Sequence, residues 1–270
     1  MKKMKNKSTL CISIAKQSGS FGTIIHNAGY QALGLDFFYK AFSVNDLQNA
    51  IRGVRSLGIR GCSVSMPYKQ EVIKYIDKLD PIAKKIGAVN TIVNDNGTLT
   101  GYNTDVVGIT KCLKKIRNKK DQVYVIGAGG MARAVLVALT NLKFSNIKLT
   151  NRTNKKGIKL QNEFSIEYIP WLKRDKVFSD IIINATPIGM YPKICKIPIS
   201  KELIKKSKIV VDVVSNPPKS KLIEYAVKND KIVITGLELA FHQALSQFKL
   251  YTGKNPPKDQ MQKAINEFYK

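Results

Sequence analysis

The stretch Gly127-Ala128-Gly129-Gly130-Met131-Ala132 has a GxGxxA spacing, and it stands between the apolar run Val123–Ile126 and an apolar run of helical character. On its own such a spacing marks only a glycine turn. Between a strand and a helix it acquires a mechanism. Gly127 permits the tight turn, Gly129 lets the amides of a helix N-terminus meet a pyrophosphate, and Ala132 allows close packing of helix on strand. A dinucleotide is the ligand that this chemistry suits.

The end of the next β-rich run discriminates between dinucleotides. A carboxylate there would read ribose hydroxyls, but this chain has Asn151-Arg152-Thr153-Asn154-Lys155-Lys156. A guanidinium clamps phosphate oxygens and a lysine adds point charge. Asn151, Arg152, Thr153 and Lys156 are therefore expected to hold a 2′-phosphate, and NADP is the expected cofactor. The competing reading is a solvated basic loop on a lysine-rich surface.

Three further polar residues complete the candidates. Lys69 closes SVSMPYK, Asn90 lies in GAVNT and Asp105 closes GYNTD. Either charge alone is an unremarkable surface group. Pro67 ends the β-rich run before Lys69, however, which puts Lys69 just beyond the carboxyl end of a strand, the edge at which open α/β sheets bind ligands.

The elements that must position these residues alternate between two periodicities. Thr9–Ala15, Phe37–Phe42 and Ile59–Met66 read as strands and Ile24–Leu33 as a helix. Ser43, with Asp46 three residues on, reads as the N-cap of a helix running to about Ser56. Asn96-Gly97 between two β-rich runs predicts a hairpin over Asn90–Gly101, followed by a helix over about Val106–Ile116. A second set of strands is expected at Val123–Ile126, Ile147–Arg152, Asp180–Asn184, Ile209–Val213 and Ile232–Ile234. From Leu237 the pattern is helical, and Met261, Ile265 and Phe268 form one apolar stripe. The expected class is α/β: an N-terminal domain with a mainly parallel sheet, a Rossmann domain over 106–236, and C-terminal helices returning to the first domain, which comprises 1–105 and 237–270.

Composition narrows the function classes. With 270 residues, 44% of them hydrophobic, the chain can bury a core in each of two domains. The formal charge of +26 invites a nucleic-acid reading, but the lysines are spread along the chain and no nucleic-acid-binding motif occurs. A lysine-rich enzyme with anionic small-molecule ligands is expected instead. Cys11, Cys62, Cys112 and Cys195 lie far apart with no CxxC pair, and only His26 and His242 could join them, so neither a disulfide framework nor a metal site is expected. The basic N-terminus leads into an apolar stretch broken at Lys16, which reads as a solvated tail rather than an export signal. No apolar run reaches membrane-spanning length. A cytoplasmic protein without membrane or nucleic-acid partners, monomeric or homodimeric, is the expectation.

The order of motifs resembles the shikimate dehydrogenase family over nearly the whole chain. That family carries a VTxPxK-like segment, GAxNT, GxNTD, a GAGGMAR loop, NRTxxK, NATPIGM, a DxxxxP segment matched by Asp212–Pro217, and a GxxxxxxQ segment matched by Gly236–Gln243. The resemblance implies an NADP-dependent oxidoreductase that interconverts 3-dehydroshikimate and shikimate in aromatic amino acid (chorismate) biosynthesis. It implies that Lys69 is the acid/base and Asp105 its partner, with Asn90 and Gln243 binding ring hydroxyls. It adds Asn184, Ala185, Thr186, Val213, Gly236 and Leu239 to the residues facing the cofactor. Proton delivery by a positioned ammonium to the alkoxide formed on ketone reduction agrees with those roles.

The chain also departs from the family pattern. The SxSP signature, whose serines grip the substrate carboxylate, is here Ser20-Phe21-Gly22-Thr23; the residues around the lysine motif are Ser63 and Ser65, and Ser215 replaces a tyrosine in the Asp212 segment. The resemblance implies that Ser20, Ser63, Ser65 and Ser215 face the substrate. Loss of carboxylate donors, each charge-assisted bond being worth about 1.5–3 kcal/mol, is expected to weaken shikimate binding unless Thr23, Ser18 or a nearby cation compensates. FGTxxHN and GIRGCxVSMPxK place the chain nearest to a divergent, shikimate-dehydrogenase-like branch. Two alternatives follow: a paralogue acting on quinate or another polyhydroxylated cyclic acid, and a nucleotide-sensing or nucleic-acid-binding protein that keeps the fold without the chemistry.

Overall fold

A computed structural model describes residues 8–270. The basic N-terminal tail expected before Thr9 falls, through residue 7, outside the described residues. The chain divides into two compact units, Met1–Thr104 with Gln243–Lys270, and Asp105–His242.

In the first unit β1 (Thr9–Ala15), α1 (Phe21–Ala32), β2 (Phe37–Ser43), α2 (Leu47–Ser56), β3 (Gly61–Val64), β4 (Lys78–Leu79), α3 (Pro81–Ile86), β5 (Thr91–Asp95) and β6 (Thr98–Tyr102) follow in turn. They build a six-stranded sheet ordered β2-β1-β3-β5-β6-β4. β1 runs parallel to β2 and β3, whereas β5 is antiparallel to β3 and β6. The β5–β6 hairpin turns on Asn96 and Gly97, at φ 51° and 92°, and positive φ at both positions suits the twist of the flanking strands. One sheet face buries Ile12, Ile14, Val64 and Ile92 against Leu47, Ile51 and Val54 of α2.

Ser43 does not cap α2, contrary to the sequence expectation. It closes β2, opposite Ala15, and its Oγ accepts the Ser18 amide at 3.0 Å. The cap is Asp46, whose carboxylate accepts from Asn49 N at 2.9 Å. A charged acceptor beside the positive end of the helix outcompetes a serine already committed to a strand.

The second unit contains α4 (Asp105–Leu113), β7 (Val123–Ile126), α5 (Gly130–Asn141), β8 (Ile147–Asn151), α6 (Asn154–Phe164), β9 (Glu167–Pro170), β10 (Ile181–Asn184), α7 (Lys201–Lys206), β11 (Ile209–Asp212), α8 (Lys221–Val227) and β12 (Ile232–Ile234). Its sheet runs β12-β11-β10-β7-β8-β9 with every pair parallel. β7, β10 and β11 are buried throughout, as expected of parallel strands covered on both faces. This is the doubly wound Rossmann order, and its direction reverses between β7 and β10. α9 (Gly236–Thr252) crosses the division between the units, and α10 (Lys258–Phe268) belongs to the first. Met261 and Ile265 of α10 are buried, but Phe268, the last helical residue, is half exposed, so the expected apolar stripe is one residue shorter.

Candidate functional site

The glycine turn lies at the switch point of the Rossmann sheet. Gly127 leaves β7 at φ +119°, and a Cβ there would stand 2.9 Å from both the Ala185 carbonyl oxygen and Thr186 Cγ2. Only glycine fits this turn. Gly129 is extended, caps α5 without a side-chain bond, and has nothing within 4 Å of where its Cβ would be. The first amides of α5, at Gly130, Met131 and Ala132, are thus approachable past Gly129, the arrangement that a pyrophosphate needs. Ala132 is fully buried, and Ala128 and Met131 are half-buried.

At the end of β8 the Asn151 side chain donates to the Thr153 carbonyl at 2.9 Å, and Tyr168 Oη donates to the Asn151 carbonyl at 3.1 Å. Gly157 lets α6 sit on that tyrosine, since a Cβ would stand 2.1 Å from its ring. The loop is therefore braced, while Arg152, Thr153 and Lys156 are exposed. Neither cation has an acidic partner among the described residues. Arg133, by contrast, is held in a two-pronged ion pair with Glu163.

A buried network shapes the opposite wall. Asn184 Nδ2 donates to Asp212 Oδ1 at 2.9 Å and to the Ile188 carbonyl at 3.1 Å, and its Oδ1 accepts Thr186 Oγ1 at 2.7 Å. Asp212 also accepts from Val214 N and Ser220 Oγ. Burial pushes its carboxyl up to about 6, against the pull of those hydrogen bonds. Asn184 is fully enclosed, so it positions the Ala185–Thr186 backbone around Gly127. Val213 N donates to the Asn184 carbonyl at 3.0 Å. Gly236 lies so close to the backbone of Val214 and Ser215 that its Cβ would stand 2.2 Å from the Val214 carbonyl oxygen. Leu239 is buried one turn further along α9.

In the first unit, Lys69 is half-buried in the turn after β3, and its carbonyl accepts Val89 N at 2.7 Å. That bond ties the lysine loop to the segment entering Asn90. Asn90 is fully buried; its Oδ1 accepts Thr104 N at 2.8 Å and the Thr91 hydroxyl at 2.8 Å. A backbone N–H can only donate, so these bonds fix which end of the amide is oxygen. Thr104 precedes Asp105, which is buried at the first position of α4, where a carboxylate faces the positive end of the helix dipole.

One residue in this network escaped the sequence reading. Gln247, buried on α9 one helical turn after Gln243, donates from Nε2 to Ser63 Oγ at 3.0 Å and to Thr91 Oγ1 at 2.9 Å. The only available signal was a polar residue recurring at i+4 after the motif glutamine.

Comparison with known proteins bears on this arrangement directly. Residues 15–92 match the shikimate dehydrogenase substrate binding domain, 111–222 the shikimate / quinate 5-dehydrogenase family, and 236–265 the shikimate 5'-dehydrogenase C-terminal domain. A shikimate dehydrogenase-like protein of Haemophilus influenzae is 42% identical over 257 residues, covering 94% of each chain. The chain belongs to the shikimate dehydrogenase family. A shikimate dehydrogenase (NADP(+)) of Methanocaldococcus jannaschii is 39% identical over 260 residues, 91% of this chain and 92% of that one. A crystal structure of a shikimate dehydrogenase in complex with NADP+ superposes with a TM-score of 0.89 at 34% identity, covering 99% of this chain and 98% of the other.

Within this shikimate dehydrogenase family fold, the departures at the serine signature have a structural explanation. Gly22, His26 and Asn27 all serve Tyr39: a Cβ on Gly22 would stand 2.9 Å from its ring, His26 stacks on it, and Asn27 bonds its backbone N–H and carbonyl at 2.8 and 3.0 Å. Ser20 opens α1 with no side-chain capping bond. Ser18 Oγ lies 3.1 Å from Ser43 Oγ. Ser18, Ser20 and Ser65 are exposed, and Thr23, Ser63, Ser215 and Gln243 are half-buried. Ser63 is engaged by Gln247, whereas Ser20 and Thr23 flank the start of α1. No helix among the described residues is long and apolar enough to cross a membrane.

Proposed function

We propose that this chain is a cytoplasmic NADP-dependent shikimate dehydrogenase, interconverting shikimate and 3-dehydroshikimate in aromatic (chorismate) biosynthesis. The observation that carries the reading is the pairing of a turn only Gly127 can make with the exposed, acid-free Arg152 and Lys156 at the end of the next strand. A 2′-phosphorylated dinucleotide fits both features, and relatives across the family bear NADP in their names. The unit comprising Asp105–His242 is assigned to the cofactor, and the unit holding Lys69 and Asn90 to the substrate.

NADP supplies or accepts the hydride when bound. Lys69 gives a proton to the carbonyl oxygen as it becomes an alkoxide, and takes it back in the oxidative direction. Asp105 holds the ammonium in place by charge. Asn90, with its amide orientation locked, and Gln243 bind ring hydroxyls. Ser18, Ser20 and Thr23 are assigned to the substrate carboxylate, and Ser65 and Ser215 to other polar groups of the substrate. Asn184 and Ser63 act through neighbours: Asn184 braces the Ala185–Thr186 turn, and Ser63 receives Gln247.

Steady-state rates with shikimate and quinate, each with NADP and NAD, test the assignment. Shikimate with NADP should show the highest kcat/KM by at least about tenfold, which corresponds to about 1.4 kcal/mol of transition-state discrimination. Equal or better turnover of quinate, or equal use of NAD, overturns it.

A further inference from the structure

Three side chains that the proposed chemistry does not use converge on one point of the second unit. Cys112 lies near the end of α4 and is fully buried; Glu238 and His242 are half-buried on the first turns of α9. Sulfur, carboxylate oxygen and imidazole nitrogen all lie within 4.8 Å of one another. We propose that Cys112, Glu238 and His242 form a binding site for a zinc-like divalent cation.

The geometry supports this in two independent ways. Glu238 and His242 are four residues apart on one helix, so they share a face, and Cys112 meets that face from a different helix. Tetrahedral zinc with bonds of about 2.0–2.3 Å places its ligand atoms roughly 3.5 Å apart, so side-chain movements of about 1 Å would close the site. The donor set also discriminates among ions. Calcium and magnesium take oxygen ligands, whereas thiolate with imidazole suits zinc. Lys115 is ion-paired with Glu238, but a carboxylate has lone pairs on two oxygens and can serve both cations. On binding, the Cys112 S–H bond breaks, the sulfur keeps the electron pair to form the metal–sulfur bond, and the proton passes to water. Three protein ligands leave a fourth position for water. No short motif announces the site, because Cys112 and Glu238 are distant in the chain.

Cobalt(II) is the probe, titrated into protein carrying Cys195→Ser so that the exposed thiol cannot compete. One equivalent should bind with a thiolate-to-cobalt charge-transfer band and tetrahedral ligand-field bands, and zinc should displace it. Cys112→Ser should abolish the charge-transfer band. Because that buried change can disturb folding, His242→Gln and Glu238→Gln, at half-buried positions, are measured alongside and should each weaken binding at least tenfold. Absence of a thiolate band in the parent, its survival in Cys112→Ser, or unchanged affinity in both His242→Gln and Glu238→Gln would overturn the proposal.

Discussion

His26 lies face to face with Tyr39, the ring centroids 4.5 Å apart and the planes 12° from parallel. The stack is enclosed by Tyr30, Phe248 and Tyr251, so α1 is anchored to β2 through aromatic packing. The conspicuous part of Phe21–Asn27 is thus a packing device, and the polar groups left for a ligand are those at its exposed start.

This burial makes stability pH-dependent. Desolvation pushes the His26 imidazole from 6.5 down to about 4. Between those values the unfolded chain binds more protons than the folded one, so the contribution of His26 to stability is present above 6.5 and lost as pH falls toward 4. Relative to His26→Phe, the parent should lose about 2 kcal/mol between pH 7 and pH 5 in denaturant unfolding. A difference that does not vary with pH contradicts this.

The two glycines of the cofactor turn should separate stability from binding. Gly127→Ala meets both a positive φ and the Ala185 carbonyl, and should cost about 1–3 kcal/mol of stability. Gly129→Ala projects into open space; it should leave stability within about 0.5 kcal/mol while weakening NADP binding at least tenfold. Calorimetric titration beside thermal melts distinguishes them, and equal NADP affinity in the parent and Gly129→Ala rules out a pyrophosphate at α5.

Arg152 is expected to carry cofactor selectivity. Arg152→Ala should lower kcat/KM with NADP about 10- to 100-fold, one to two charge-assisted bonds, and leave NAD turnover nearly unchanged. An equal loss with both cofactors would mean that Arg152 acts elsewhere.

Gln247 should behave as a positioning residue. Gln247→Leu strips donors from Ser63 and Thr91, and is expected to cost about 1–3 kcal/mol of stability and to raise the KM for shikimate more than it lowers kcat. An unchanged KM would confine Gln247 to packing.

Much of this was legible in the sequence because short-range chemistry dictates it. Asn96-Gly97 turns the hairpin, and the glycine spacing at Gly127 marks the strand-to-helix turn whatever surrounds it. The capping pattern at Ser43 is overridden by pairing with β1, a long-range contact that no local pattern reveals. β4 and β9 passed unseen: β4 is two residues long, and β9 carries Glu167 and Pro170 on a sheet edge, where apolar periodicity is not required. The motif marks Asn184 as facing the cofactor, and the hydrogen bonds of its amide to Asp212 and Thr186 depend on strand pairing that the motif does not show. Gln247 and the Cys112 cluster depend on α9 lying beside strands and helices remote in sequence, which periodicity cannot encode.

The rate of shikimate oxidation by Lys69→Ala, with NADP at saturation, decides whether Lys69 carries the proton. Lys69→Ala should lower kcat by about 10²- to 10⁴-fold with NADP affinity little changed. Asp105→Asn should also slow turnover, and, on the roles proposed for Lys69 and Asp105, the two losses should be less than additive. Near-parental turnover by Lys69→Ala would show that the proton travels by another route and that Lys69 is not the acid/base.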